Sequence, residues 1–291
     1  MMNSKYLVLV PVYNDWKNLS KLISKINHIF KHQLKNNFHL IIINDCSTED
    51  FNIKKLKLSQ VKKIHKISLK HNVGSQRALA IGIKYIFLNF KKKFRIIIMD
   101  SDGQDNPKGI LKMINFADKE KSFSVAANRG QRSEALWFKI CYEIYSYFIL
   151  FFSCKKIRFG NFNIILSEHL GKLLKNSDLW SALPPVISLN LKKVKYITID
   201  REKRYSGNSK MNLIGLIFHA LKVFSALRKN ILIFSIFYII LILSILLKNF
   251  EVISFFLIFG IILLNLSNFL LSCNNKKKFL KNYKVINIIK V

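Results

Sequence analysis

Three short apolar runs rich in β-branched residues recur in the first hundred positions, at 6–12 (YLVLVPV), 39–44 (HLIIIN) and 94–100 (FRIIIMD). A strand that is apolar on both faces is buried on both, as in a parallel sheet covered by helices, so each run predicts a central strand. Between the runs the period lengthens. Leu19, Leu22, Ile23, Ile26 and Ile29 fall at helical spacing within 16–32, and Ala78, Leu79, Ile83 and Ile86 do so within 75–90. Strand and helix alternate, which implies an α/β fold with a doubly wound sheet. Further strands are predicted at 64–69 and 122–127, and a helix over 107–119 opens on Pro107, whose missing N–H costs nothing in a first turn. From 131 to 210 the pattern is less regular: a helix over 133–152 is expected, with strands near 162–166 and at 194–199.

The C-terminal third changes character. Residues 231–247 and 252–273 carry no charge, and each is near the roughly 20 residues that a membrane-spanning helix needs. Only Lys248-Asn249-Phe250-Glu251 separates them, which predicts a two-helix transmembrane hairpin. Lys222, Arg228 and Lys229 precede it, and Lys276, Lys277, Lys278, Lys281 and Lys284 follow, so the positive-inside rule places both ends in the cytoplasm. Residues 212–227 alternate apolar and polar at helical spacing, as an interfacial helix would. The expected divisions are 1–210 for the α/β domain, with halves at about 1–130 and 131–210, then 211–229 for an interfacial helix, 230–274 for the hairpin and 275–291 for a basic cytoplasmic tail.

Composition narrows the class. A net charge of +32 accompanies 51% hydrophobic residues, a pairing foreign to disordered chains. The charge suits an acidic membrane surface or anionic small substrates, and no nucleic-acid-binding motif accompanies it. The four cysteines, Cys46, Cys141, Cys154 and Cys273, are scattered, which fits a reducing compartment. His28 and His32 could share a helical face, but two surface histidines are the simpler reading. The run Tyr6–Val10 is too short for a secretory signal, so the N-terminus is expected in the cytosol.

Open α/β sheets bind ligands at the carboxyl ends of their strands, and three strand ends here are polar. Pro11-Val12-Tyr13-Asn14-Asp15 follows the first strand, Asn44-Asp45-Cys46-Ser47 the second, and Asp100-Ser101-Asp102-Gly103-Gln104 the third. Asp100, Asp102, Gln104 and Asp105 crowd oxygen ligands into one turn, and carboxylates so close repel unless a cation relieves them. Mg²⁺ or Mn²⁺ bridging a diphosphate would do so. An acidic surface turn can look the same, and the other two strand ends are what make the cluster distinctive.

The motifs VPVYND, NDCS, HNVGSQRALAIGI (71–83), MDSDGQDNP (99–107), Asn128-Arg129 and Arg204 to Lys210 resemble, in order and spacing, family 2 glycosyltransferases of the GT-A fold, in particular polyprenyl-phosphate glycosyltransferases of the dolichol-phosphate mannose synthase type. That resemblance implies that Pro11, Tyr13, Asp15, Asp45 and Asp100 hold the nucleotide, and that Asp100, Asp102 and Gln104 bind Mg²⁺ or Mn²⁺ with the donor diphosphate. It implies catalytic roles for Asp102 and Arg129. Phosphate contacts would come from Arg129, Arg132, Arg204, Ser209 and Lys210. The implied partners are a UDP- or GDP-linked sugar, a polyprenyl phosphate or other glycolipid acceptor and the cytoplasmic membrane, with no nucleic acid and with a homo-oligomer left open.

The chain departs from that family at three places. Asn44 stands where relatives often carry a first aspartate, the stretch Arg158-Phe159-Gly160-Asn161-Phe162-Asn163 lacks an expected aspartate and arginine, and a serine expected in the helix near 139–146 is not clearly matched, with Tyr142 and Glu143 in the vicinity. Deprotonating a sugar hydroxyl needs a placed base, whereas an ionised phosphate attacks without one. Inverting transfer to a lipid phosphate is therefore the leading expectation. Transfer to a hydroxyl of a lipid-linked saccharide or surface glycan, and a catalytically silent membrane scaffold, are the alternatives. The Gln-x-x-Arg-Trp element of processive synthases is missing.

Overall fold

A computed structural model describes residues 5–49, 51–52, 58–119, 123–130, 136–154, 157–207, 213–246, 252–282 and 286–290. Its strands are β1 (Tyr6–Val12), β2 (Phe38–Asn44), β3 (Val61–Leu69), β4 (Arg95–Ile98), β5 (Ser124–Arg129), β6 (Phe159–Leu166), β7 (Val194–Ile199) and β8 (Ile286–Lys290). Its helices are α1 (Trp16–Ile29), α2 (Ser75–Asn89), α3 (Lys108–Lys119), α4 (Leu136–Ser153), α5 (Leu170–Leu174), α6 (Leu183–Asn190), α7 (Leu213–Ala226), α8 (Arg228–Leu246) and α9 (Val252–Asn282). One mixed sheet runs β7-β5-β6-β4-β1-β2-β3-β8. Strands β4, β1, β2 and β3 are parallel, β6 is antiparallel to both β4 and β5, and β8 is antiparallel to β3.

The continuous apolar runs are explained by two cores. Leu7, Leu9, Ile41 and Ile43 point to one face, where they meet Leu79 and Ile83 of α2. Val8, Val10, Leu40 and Ile42 point to the other, against Leu22, Ile23 and Ile26 of α1. Successive side chains of a strand alternate between faces, so a strand covered twice must be apolar throughout. Helix α1 ends at Ile29 in a π turn over Phe30–Leu34, which closes on Lys35 in the left-handed region (φ 45°). The expected 16–32 helix is thus split by a change of hydrogen-bond register.

Three short helical pieces lie where only irregular chain was expected: the turn Ser177–Trp180, α5 and α6. Their apolar residues, including Leu179, Trp180, Leu183 and Val186, fill the core beside α2. Each piece is eight residues or fewer, too short to show an amphipathic period, which hid them.

At the C-terminus α8 and α9 pack side by side, with Asn265 Nδ2 donating to Ser235 Oγ (2.8 Å). Among the described residues, Ser254–Cys273 is long and apolar enough to cross a membrane by itself, and Ala220–Ala226 with Arg228–Ser244 does so only as a pair bent by 81°. Both helices return to the globular domain at one place. Arg228, at the start of α8, pairs with the buried Asp178 carboxylate, and Ser272 of α9 lies 3.5 Å from the same side chain. Helix α9 then continues past the expected end of its apolar run to Asn282, and residues 286–290, expected as part of a basic tail, add an edge strand to β3.

Candidate active site

Strand β1 pairs with β4 only as far as Leu9 opposite Ile98, after which Met99 N–H donates to the Leu9 carbonyl (3.2 Å). Pro11 has no N–H to extend that ladder, so the chain leaves the sheet at Asp100. Neighbouring β1 and β2 end level, Val12 opposite Asn44. Their loops are stitched together: Asn14 N–H donates to Ser47 Oγ (2.9 Å), Thr48 N–H to Asn14 Oδ1 (2.8 Å), and Ser47 N–H to Asn44 Oδ1 (3.0 Å). Asn14 and Cys46 hold positive φ (46° and 62°), the left-handed geometry that such tight exits require. Asn44, the departure noted in the sequence, therefore serves as the cap of the second loop.

Asp45 is buried. Its two oxygens accept N–H bonds from Val73 (2.7 Å) and Gly74 (2.8 Å), which pins the loop before α2. Burial pushes its proton affinity up, while these two bonds and the nearby Arg77 pull it back down. Tyr13 stands partly exposed at the rim.

Three carboxylates crowd the turn after β4. Burial, and then repulsion from Asp100, raise the proton affinity of Asp102. The same two causes push Asp105 up to about 7. Asp105 accepts from Asp100 N–H (3.1 Å), and Asp102 Oδ1 from Gln104 N–H (2.9 Å). Such a set gains from a cation.

The protein supplies one. Arg204 pairs with Asp15 at the end of β1 and approaches Asp102 Oδ2 at 3.5 Å, joining two strand ends through one guanidinium. Its segment is laced down beside the turn: Tyr205 N–H donates to Asp102 O (3.2 Å), Glu202 N–H to Gln104 O (2.9 Å), and Asn18 exchanges bonds with Ser206 (2.6 and 2.9 Å). Gln104 turns its Oε1 to Arg201 (2.8 Å). The Tyr205 ring lies against Gly103, where an added Cβ would stand 2.3 Å from the ring and φ is +81°. Gly103→Ala should therefore cost about 1–2 kcal/mol in backbone strain alone and push Tyr205 off the turn. We expect lower transfer activity with faster proteolysis within 201–207; an unchanged digestion pattern would contradict that packing.

A second feature was not legible beforehand. Leu183 N–H donates to Gln76 Oε1 (2.8 Å), Gln76 Nε2 donates to Asn161 Oδ1 (2.9 Å), and Asn161 Nδ2 donates to Asp100 Oδ1 (2.9 Å). The backbone donor at one end fixes the sense of every amide in the chain. Asn161 lies in the stretch where an aspartate was expected, and a neutral amide there orients Asp100. Replacing Asn161 by alanine should weaken Mn²⁺ binding about tenfold, as lost outer-shell partners do; titration followed by the Mn²⁺ EPR signal checks it.

The structure thus brings Asp15, Asp100, Asp102 and Arg204 together, and it seats Asp45 beside them under α2. Arg129 ends β5 against Gly160, in a cleft that also contains Asp105, Asp200 and Arg201. Arg132, Ser209 and Lys210 lie outside the described residues. Asn18, Gln76, Asn161 and Arg201 were missed. Only Gln76 carried a signal, its place inside the 71–83 motif. Among the described residues no three His, Cys, Asp or Glu side chains converge as a closed metal cage. Two carboxylates suffice for an ion that takes its remaining oxygens from water and phosphate, which is how Mg²⁺ is usually held. The donor set Asp100 and Asp102 fits such an ion, whereas Gln104 Oε1 is engaged by Arg201.

The sequence profile of glycosyl transferase family 2 matches residues 7–169, more than half of the chain. The chain belongs to glycosyl transferase family 2. The family 2 stretch includes β1 to β6, the Asp100–Asp105 turn, Arg129 and Asn161, and ends before Arg204. Similar proteins include the undecaprenyl-phosphate 4-deoxy-4-formamido-L-arabinose transferases of Salmonella choleraesuis (strain SC-B67) and Salmonella newport (strain SL254). Each is 24% identical over 220 residues, 73% of this chain, and the match spans 64% of the relative's length. Among solved structures, glucosyl-3-phosphoglycerate synthase from Mycobacterium tuberculosis, in complex with Mn²⁺, UDP-glucose and phosphoglyceric acid, aligns with TM-score 0.52 and 13% identity, covering 79% of this chain and 80% of its own. A mycobacterial protein aligns with TM-score 0.54 and 13% identity over 78% of this chain and 75% of its own. These likenesses are of fold, a GT-A-type mixed α/β sheet; the apolar helix Ser254–Cys273 is described for this chain alone.

Proposed function

We propose that this family 2 chain transfers a sugar from a UDP- or GDP-linked donor to a polyprenyl phosphate at the cytoplasmic face of a membrane, with inversion at the anomeric carbon. The observation that carries the reading is the meeting of Asp15 and Asp102 around Arg204, with Asp100 beside Asp102, at the carboxyl ends of the parallel strands, where open α/β sheets place nucleotide ligands. Pro11, Tyr13, Asp15 and Asp45 would hold the nucleoside. Asp100 and Asp102 would hold Mg²⁺ or Mn²⁺, which when bound offsets negative charge on the diphosphate.

In the step itself an acceptor phosphate oxygen forms a bond to the anomeric carbon. The bond from that carbon to the diphosphate oxygen breaks, and the nucleoside diphosphate leaves with the electron pair. Arg204 and Arg129, with Arg132, Ser209 and Lys210, would bind phosphate oxygens; a guanidinium fork suits them. No proton has to be removed from the acceptor, which agrees with an amide at Asn161 beside Asp100. The acceptor class is supported by the names of the Salmonella relatives.

Membrane attachment through α8 and α9 as a spanning hairpin is supported by their common root at Asp178. Helix α7 meets α8 at 81°, so it would lie along the interface if α8 spans. The test is product analysis: purified protein, radiolabelled UDP- and GDP-sugars, and either undecaprenyl phosphate or undecaprenol with Mg²⁺ or Mn²⁺. A sugar–phosphate-linked lipid is expected from the phosphate alone. Label on the alcohol would redirect the assignment to hydroxyl transfer, and calorimetry without nucleotide-sugar binding would point to a silent scaffold.

A further inference from the structure

Helix α4 was expected only as an irregular-region helix, yet it carries an apolar stripe. Ile140, Ile144, Tyr147, Phe148 and Phe151 are exposed by 52%, 63%, 65%, 43% and 54%. At 100° per residue these five fall within an arc of about 100°. The opposite side of α4 is occupied: Ile149 and Phe152 join a core with Val223, Phe224, Leu227 and Ile231. The stripe is therefore a second face, open except where the Phe148 ring meets Phe224 edge-on (5.4 Å) and Phe151 reaches α8.

We propose that this face of α4 is embedded in the acyl layer of the same membrane leaflet that receives the base of the α8–α9 hairpin. The stripe is continuous with α8, because the Phe151 ring stacks on Tyr238 (4.2 Å, 2° between planes) and Tyr238 Oη donates to the Phe151 carbonyl (2.6 Å). Its exposures, 43–65%, span the same range as those of hairpin residues such as Leu241 (45%), Phe259 (50%) and Phe256 (65%), the surface that would face lipid if those helices span. The one acidic residue at its margin, Glu143, lies 3.8 Å from Arg158. Lys155 and Lys156 follow the helix in the sequence, the basic flank that interfacial segments carry. A contiguous apolar patch of this kind is rare on a free soluble surface. With α4 in the leaflet, the strand end bearing Arg129, which precedes α4, would be held close to the bilayer surface.

This inference rests on the hairpin spanning the membrane, and one experiment separates the two claims. Benzoylphenylalanine is placed singly at Tyr147, at Phe256 on α9, and at exposed Lys112 on α3, which packs on the opposite face of the sheet. The full chain is photolysed in its membrane and adducts are identified by mass spectrometry. Lipid adducts at Tyr147 within about twofold of Phe256, and at least about tenfold above Lys112, are expected for acyl-embedded side chains. Chain-to-chain adducts at Tyr147, or none, with lipid adducts at Phe256 would overturn the α4 proposal and leave the hairpin standing. Lipid adducts at Tyr147 without any at Phe256 would overturn the hairpin, and with it the placement of α4 beside the hairpin's base. Adducts at neither would overturn both.

Discussion

Asparagine in place of Asp102 is expected to lower sugar transfer by about a thousandfold, some 4 kcal/mol of transition-state stabilisation. The change is nearly isosteric. The amide oxygen can still accept the Gln104 N–H, so the turn after β4 should persist. What disappears is a negative charge in a largely buried position, where it and Asp100 are the two carboxylates available to a cation. Arg204 keeps its pairing with Asp15 and stays in place. Three measurements together identify the cause: initial rates should collapse, Mn²⁺ affinity should fall, and the thermal midpoint should hardly move. Transfer within tenfold of the parent protein would remove Asp102 from the metal set.

Alanine in place of Arg228 is expected to loosen the root of the hairpin by about 3–5 kcal/mol, the usual cost of stranding one member of a buried ion pair. The Asp178 side chain is only 7% exposed, against 27% for Arg228, so the carboxylate cannot recover its hydration when the guanidinium is lost. Ser272 at 3.5 Å offers one neutral hydroxyl in return. A lowered thermal midpoint in detergent is the direct readout. Removing the charge at both positions, Asp178→Asn with Arg228→Gln, should recover most of the loss, because no buried charge then lacks a partner. A double variant as unstable as the single one would mean that packing, not charge, governs the junction.

Some of this architecture could be read along the chain. Residues 6–12 and 39–44 announce central strands because both their faces are covered, and helix α1 announces itself because only one face is; α2 is buried throughout Ala78–Ile83 and showed through its larger apolar residues alone. Helix α6 did not, since LPPVISLN is buried almost throughout and shows neither period. The acidic turn at 100–105 was conspicuous. Its partners were not: Asn161 is 61 residues from Asp100, and Gln76 is 107 residues from the Leu183 amide it accepts. An uncharged amide in an apolar strand offers no local pattern, so the stretch Arg158–Asn163 read only as lacking an aspartate and an arginine.

By itself the sequence determined the central strands, the longer helices, the strand-end motifs and the family, because hydrophobic period and turn chemistry are properties of neighbouring residues. The tertiary structure alone decided which groups meet. It set Arg204 against Asp15 across 189 residues, bent α7 from α8 by 81°, and left the outer stripe of α4 uncovered. Those outcomes depend on how distant elements close upon one another, and the energy of an ion pair or a covered face exists only once that distance has collapsed.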